Sequence, residues 1–321
     1  MKRLNLVLVA GSVLMLGCGP AITEDPFGNG ADANPFQADA RTGPDEFADA
    51  RPAEACSKMD IVFVVDDSGS MSEEQSNLAT NFPNFITVID NYLTSSGDAL
   101  DYRVAVTTTG RDLNYTIALP PPLGNLPFNE SGDNGVFRQD CGMTKRWLER
   151  GDTNVGSTFA CAAQVGTGGP SLEMPLLSMD WALTDRVADG TNAGFLREDA
   201  LLAVVILTDE DDCSREDNNF TIANDACGTS TPEVLSTQSY IDKLDVLKGE
   251  RGRWATAVIA GPNSCSSSFG DAIEAKRLKQ FVTETGDNAV FSSICDGNLA
   301  TSLQTALDTF SAACESFPPI P

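Results

Sequence analysis

Histidine is absent from the 321-residue chain, and that one absence removes a large part of enzyme chemistry. Ser-His-Asp and Cys-His nucleophile activation, H-E-x-x-H zinc sites and imidazole pH switches all need the missing ring. Basic residues are scarce as well: 21 Lys and Arg stand against 46 Asp and Glu, a formal charge of −25. A surface of that sign repels nucleic acid and anionic membrane surfaces and raises the local cation concentration. The apolar run near the N-terminus, Leu4 to Leu16, is too short to span a bilayer. The glycine-rich loop from Gly166 to Ser171 holds no lysine, so it is not a P-loop.

Lys2-Arg3, the apolar run and then Gly17-Cys18 have the pattern of a secretory signal over residues 1–17. Cys18 resembles the lipidated cysteine of bacterial lipoproteins, with Leu16 larger than the small residue usual at that position. Ordinary cleavage with a free Cys18 is the alternative. Lipidation implies export across the inner membrane and membrane attachment through the lipid anchor only. Gly19, where no aspartate stands, is compatible with the outer membrane, on its periplasmic face or the cell surface. Residues 18–55, with the near-repeat ADARTGPDEFADARP, have too few apolar residues for a core and are expected to form a disordered acidic tether. Setting Cys18 aside, the nine cysteines leave an even number, which implies up to four disulfides in an oxidising compartment.

The stretch MDIVFVVDDSGSMSEE, Met59 to Glu74, organises the remainder. Its continuous apolar run, Ile61 to Val65, predicts a strand buried on both faces. The strand stops at Asp66-Asp67-Ser68-Gly69-Ser70, and Ser72-Glu73-Glu74-Gln75 is a capping-box pattern that starts a helix. Asp66, Ser68 and Ser70 thus sit in a strand-to-helix loop, where open α/β sheets bind ligands. Short oxygen-bearing side chains there suit a hard cation such as Mg²⁺.

Strand and helix patterns alternate after that. A helix from Ser72 to about Thr94 carries Leu78, Phe82, Phe85, Ile89 and Leu93 on one face, with Pro83 expected to kink or split it. Strands are expected at Tyr102–Thr109, Leu201–Leu207, Trp254–Ala260 and Ala289–Ile294. Helices are expected at about Ser171–Leu183, Thr237–Lys248, Asp271–Thr285 and Leu299–Ala313. Residues 110–166 yield no clear pattern and read as an insertion. This alternation argues an α/β fold, a central mostly parallel sheet with helices on both faces.

D-x-S-x-S after a buried strand resembles the metal-ion-dependent adhesion site (MIDAS) of von Willebrand factor type A (vWA) domains. The resemblance covers roughly residues 56–314 and leaves 315–321 as a tail. It implies a Rossmann-like, disulfide-braced vWA domain whose metal ligands are Asp66, Ser68, Ser70, Thr167 and Asp209. Thr167 comes from VGTGGPSLEMPL, whose loop runs directly into a helix; Thr158, in VGSTFAC, is the competitor. Asp209 ends the central strand in LTDEDD. The expected cation is Mg²⁺ or Mn²⁺, and the expected partner is a protein whose Asp or Glu carboxylate completes the metal shell. Asp67, Glu210, Asp211 and Asp212 are candidate acceptors for metal-bound water. Glu73 and Glu74 fall where integrin β-subunits carry two acids for an adjacent cation such as Ca²⁺; the alternative is that they complement the helix N-terminus.

The same resemblance implies the pairings Cys56–Cys314, Cys265–Cys295, Cys213–Cys227 and Cys141–Cys161. A Cys56–Cys314 bond would oppose the sliding of the last helix by which integrin heads change affinity, and so implies a site of fixed affinity. The implied function is a surface-anchored, non-catalytic module for adhesion or envelope protein binding. One alternative is a structural envelope component with a purely stabilising metal. Another is a Mg²⁺-dependent phosphohydrolase of haloacid-dehalogenase type, but Ser68 stands where that chemistry needs a second acid.

Overall fold

A computed structural model describes residues 56–94, 97–222, 233–267, 270–296 and 299–318. The expected signal, Cys18 and the tether lie outside them, as do Cys227 and the side chain of Leu78. The first half of the domain runs β1 (Lys58–Val65), α1 (Ser72–Asn91), β2 (Asp101–Thr108), β3 (Leu113–Ala118), β4 (Asn125–Glu130), β5 (Leu148–Glu149), α2 (Val155–Ala162), α3 (Pro175–Leu183) and α4 (Asp185–Ala188). The second half runs β6 (Leu201–Leu207), β7 (Phe220–Ile222), α5 (Thr237–Lys248), β8 (Trp254–Ala260), β9 (Cys265–Ser267), β10 (Gly270–Ala272), α6 (Lys276–Thr285), β11 (Ala289–Ser293) and α7 (Leu299–Glu315). Among the described residues no helix is long and apolar enough to cross a membrane.

Six strands form the main sheet in the order β11-β8-β6-β1-β2-β5. All neighbours are parallel except the short β2–β5 pair. Side chains alternate across a strand, so an unbroken apolar run is stable only where both faces are covered. In β1, Ile61, Phe63 and Val65 enter one core, while Val62 and Val64 enter the other. Strand β6 divides likewise, Ala203 and Val205 to the first side and Val204 and Ile206 to the second. The first core is closed by α1, α2 and α7 through Phe82, Phe85, Phe159, Leu303 and Phe310. The second is closed by α3, α5 and α6 through Leu176, Met179, Ile241 and Phe281. The α/β architecture read from the sequence is present.

Several details differ from expectation. Helix α1 runs unbroken across Pro83, because the buried side chains Phe82, Phe85, Ile86 and Ile89 on either side of it all pack into one core. Leu93 is 60% exposed rather than part of that face, since the helix ends at Asn91. Helix α3 begins at Pro175 rather than Ser171, with proline in its favoured first position. Helix α6 begins at Lys276 rather than Asp271, because residues 270–272 pair with β9 as the strand β10. The segment that gave no clear pattern forms the β3–β4 hairpin, which joins β7 in a second sheet over a small core including Tyr115, Leu172 and Met174.

Disulfides join Cys56 to Cys314, Cys141 to Cys161 and Cys265 to Cys295. Cys213 is also disulfide-bonded; its expected partner, Cys227, is outside the described residues. Phe63 is the keystone of the first core, its ring centroid 4.9–5.4 Å from those of Phe82, Phe85 and Phe159. Phe63→Ala should cost about 3–5 kcal/mol in a urea denaturation experiment, whereas Phe63→Leu should cost clearly less.

Candidate metal centre

The chain leaves β1 toward β2 on one side and returns through β6 on the other, so the carboxyl end of β1 is the topological switch point of the sheet. Asp66 sits there, fully buried, its N–H donating to Leu207 O at 2.9 Å. Its carboxylate accepts from Ser68 N–H at 2.7 Å and from the Thr208 hydroxyl at 2.6 Å. The Ser68 and Ser70 hydroxyls lie 2.9 Å apart, and Ser70 faces Asp209 closely enough to hold down its pKa. Asp209 follows β6 directly after Thr208. Asp66, Ser68, Ser70 and Asp209 therefore converge, although two strands supply them.

Thr167 is delivered by a loop hung on the end of β1. The Gln75 amide donates to Asp66 O at 2.9 Å and to Gly166 O at 2.7 Å, and its carbonyl accepts from Gly166 N–H at 3.3 Å. On the other side of Thr167, Gly169 N–H donates to Asp67 O at 2.7 Å. A Cβ at Gly169 would lie 2.3 Å from the Asp67 carboxylate, so only glycine permits this approach. Thr167 itself is exposed between these two attachments. Thr158 lies on α2 and lines a different cavity, with Met143, Asp152 and Thr153. Gln75 had been legible only as part of a helix start; its role as the clasp of the Thr167 loop depends on a contact 91 positions away. Three loops, D-x-S-x-S, threonine and aspartate, meet at the switch point of a parallel sheet. This layout resembles that of a vWA domain.

Burial makes ionisation of the site's carboxyl groups costly, whether protons or a cation offset it. Burial, with a contribution from Glu210, raises the Asp66 pKa to about 6. Burial and the neighbouring Asp66 raise Asp209 to about 8, and one buried Asp209 oxygen has no hydrogen-bond partner. Burial and the charges of Asp133 and Asp66 raise Asp67 to about 7. Glu173, which the sequence reading passed over, is 1% exposed with neither oxygen hydrogen-bonded. Burial, then the charges of Asp66 and Glu210, push its pKa well up. Among the described residues no group of three or more His, Cys, Asp or Glu forms a metal cage. Two carboxylates with several hydroxyls are instead a donor set for a hard divalent ion that keeps some of its waters. The orphaned Asp209 oxygen beside the buried Asp66 fits such an ion.

The other acids expected near the site divide. Glu210 N–H donates to the Thr208 hydroxyl at 3.0 Å, and the Glu210 charge acts on both Asp66 and Asp209. Asp211 accepts from the N–H groups of Arg277 and Leu278 at 2.9–3.3 Å and so caps α6. Asp212 is fully buried, accepts from Leu176 N–H at the start of α3 and pairs with Arg277 at 3.1 Å. These two carboxylates are engaged by helix starts rather than by the metal loops. Glu73 is exposed. Glu74 is buried against Gly270, keeps one oxygen unpartnered, and has its pKa raised to about 7 by burial and by Glu73 and Asp66.

No family model matches the chain, and no curated protein matches it. Among solved structures, the vWA-like domain is similar to the pilus adhesin SpaC from Lactobacillus rhamnosus GG, at 14% identity and a TM-score of 0.43, covering 79% of this chain and 30% of that one. Proximal thread matrix protein 1 from the mussel byssus, described with a zinc-occupied MIDAS motif, is similar at 14% identity and a TM-score of 0.39, covering 82% of this chain and 47% of that one. Manganese-loaded Plasmodium vivax TRAP protein is similar at 14% identity and a TM-score of 0.34, with 79% and 75% covered. The chain thus spans less than half the length of the adhesin and of the mussel protein. Likenesses of this size carry no functional assignment.

Because the carboxylates at the site hold protons more tightly in the folded state than in the unfolded one, the metal-free protein should lose stability as pH rises. The loss should begin above the ordinary aspartate value of 3.8 and continue to about 8, the value for Asp209. Urea midpoints in chelator across that range should fall with pH, and less steeply in Asp209→Asn; saturating Mn²⁺ should flatten the decline, since the cation replaces the protons. Gly169→Ala should weaken Mn²⁺ binding through displacement of the Thr167 loop, with cooperative unfolding retained.

Proposed function

We propose that this domain binds a protein ligand through a divalent cation held by Asp66, Ser68, Ser70, Thr167 and Asp209. The observation that carries the reading is the buried, unpartnered oxygen of Asp209, a carboxyl group close enough to Asp66 and to the Ser70 hydroxyl for both to shift its pKa. Two protein carboxylates in a mainly neutral donor set leave a bound cation electron-poor, and a carboxylate from a partner would complete its shell. Mg²⁺ and Mn²⁺ suit these oxygens; the chain's lack of histidine speaks against a nitrogen-ligated zinc site. The chain's own residues orient the site: Gln75 clasps the threonine loop, and Thr208 fixes the Asp66 carboxylate.

Two further parts of the reading rest on sequence. Lipidation at Cys18 would tether the domain to the outer membrane through residues 18–55, with its partner reached across that tether. The function is binding rather than catalysis: Asp66 is followed two positions later by Ser68, so a phosphohydrolase mechanism would lack its acid. The Cys56–Cys314 bond ties the end of α7 to the start of β1, which favours a single-affinity site.

A second reading, a cation that only stabilises the domain, is favoured by how deep the two carboxylates lie, Asp66 at 0% and Asp209 at 2% exposure. Calorimetric titration of Mg²⁺ and Mn²⁺ separates the cases. The wild type should bind one cation and Asp66→Ala none, with cooperative unfolding of the mutant intact. Collapse of the mutant fold would favour the stabilising metal, and absence of binding in the wild type would exclude both.

A further inference from the structure

We infer that the Cys141–Cys161 disulfide is a redox-sensitive latch on the loop that carries Thr167. Its effect on cation affinity rests on the metal reading above; its effect on loop mobility does not.

The described disulfides differ in access. Cys56 and Cys314 are buried in the first core, and Cys265 and Cys295 are half-buried. Cys141 and Cys161 are both exposed, so a soluble thiol reaches this pair before either of those two. Exchange proceeds by attack of a dithiol's thiolate on one sulfur, which breaks the S–S bond and forms a mixed disulfide. The second thiol of the reductant then displaces the protein sulfur. The net change is two electrons and two protons to the protein, leaving two cysteine thiols and an oxidised dithiol.

The position of the bond gives that chemistry a consequence. Cys161 lies in the last turn of α2, and from there the chain passes through Ala163 and Val165 straight to Thr167. Cys141 lies in a tight turn closed by Met143 N–H donating to Asp140 O at 2.9 Å. Its φ is +54°, in the left-handed region that a residue with a Cβ rarely adopts. Once the covalent link opens, the turn is free to relax. What then remains between the turn and the loop is the packing of Met143 on the core that holds Ala163 and Val165, and an Arg138 hydrogen bond to Val165 O at 3.4 Å, from a guanidinium already engaged by Asp140 at 2.7 Å and Asp133 at 3.6 Å. The rest of the domain is not tied to this bond. Helix α2 is held independently by Phe159, packed on Phe63 and Phe82. Reduction therefore removes the covalent restraint on residues 162–168 and loosens them within the limits set by the Gln75–Gly166 and Gly169–Asp67 bonds, while the helix and sheet stay in place.

The test is graded reduction of the full chain with dithiothreitol, followed by alkylation and mass spectrometry. Amide hydrogen exchange of residues 162–168 and Mn²⁺ affinity are measured on the same samples. Cys141 and Cys161 should be labelled before Cys56–Cys314 and Cys265–Cys295. Exchange in 162–168 should then quicken without change in the circular dichroism spectrum, and Mn²⁺ affinity should fall several-fold and return on reoxidation. The Cys141→Ser/Cys161→Ser variant should show the loosened loop and lower affinity with or without reductant. Earlier labelling of Cys56–Cys314 or Cys265–Cys295, or unchanged exchange in 162–168 after selective reduction, would overturn the latch. If the oxidised protein bound no Mn²⁺, the metal reading would fail while the exchange experiment still decided the latch.

Discussion

A negative charge buried at the hinge of the sheet sets the terms for this domain. Asp66 lies at the end of a strand with no exposed side-chain surface, and Asp209 approaches it from the adjacent strand. Burial opposes ionisation of either group, the charge of Glu210 adds to this at Asp66, and the charge of Asp66 adds to it at Asp209. Hydroxyl and backbone donors relieve part of this for Asp66 but leave an oxygen of Asp209 unpaired. Such an arrangement is costly for a protein unless a proton or a cation offsets the charge. A glutamine clasp, a glycine pressed on Asp67 and a threonine loop pinned on both sides fix the geometry of that corner.

The stretch after β6 shows how one short segment can organise several elements. Within Thr208 to Ser214, Thr208 and Asp209 face the candidate metal centre. Asp211 supplies the cap of α6, and Asp212 and Ser214 accept from the first N–H groups of α3. Helix starts leave unpaired N–H groups and a partial positive charge, which is why carboxylates are favoured there. The acids that looked like a second shell around a cation thus split between the site and two helix termini. Arg277, pairing with Asp212, ties α6 to the same corner.

How much of this was legible follows from where the signals reside. Strands β1, β6 and β8 announce themselves, because burial on both faces requires unbroken apolar runs such as LLAVVIL. The D-x-S-x-S loop is contiguous and therefore readable; its convergence with Asp209 depends on the pairing of β1 with β6, which only the sheet order reveals. The start of α6 was misplaced because its cap comes from Asp211, 66 positions earlier, and not from a neighbouring residue. Glu173 left no trace in any pattern, since a lone glutamate before a helix reads as solvent-facing. The β3–β4 hairpin was hidden by its half-exposed strands and the proline-rich turn between them, which offer neither steady alternation nor a continuous run.

The placement of β1 has a mechanical meaning. Cys56, joined to α7, precedes the strand at one end, and the metal loops leave it at the other. A load applied between those two ends lies along the strand axis. Parallel neighbours flank β1 on both sides through most of its length, Lys58–Val65 against β2 and Met59–Val65 against β6. The ladder hydrogen bonds on both sides are then loaded together in shear rather than peeled open one at a time. Strand β1 is thereby arranged to resist a force along its own axis.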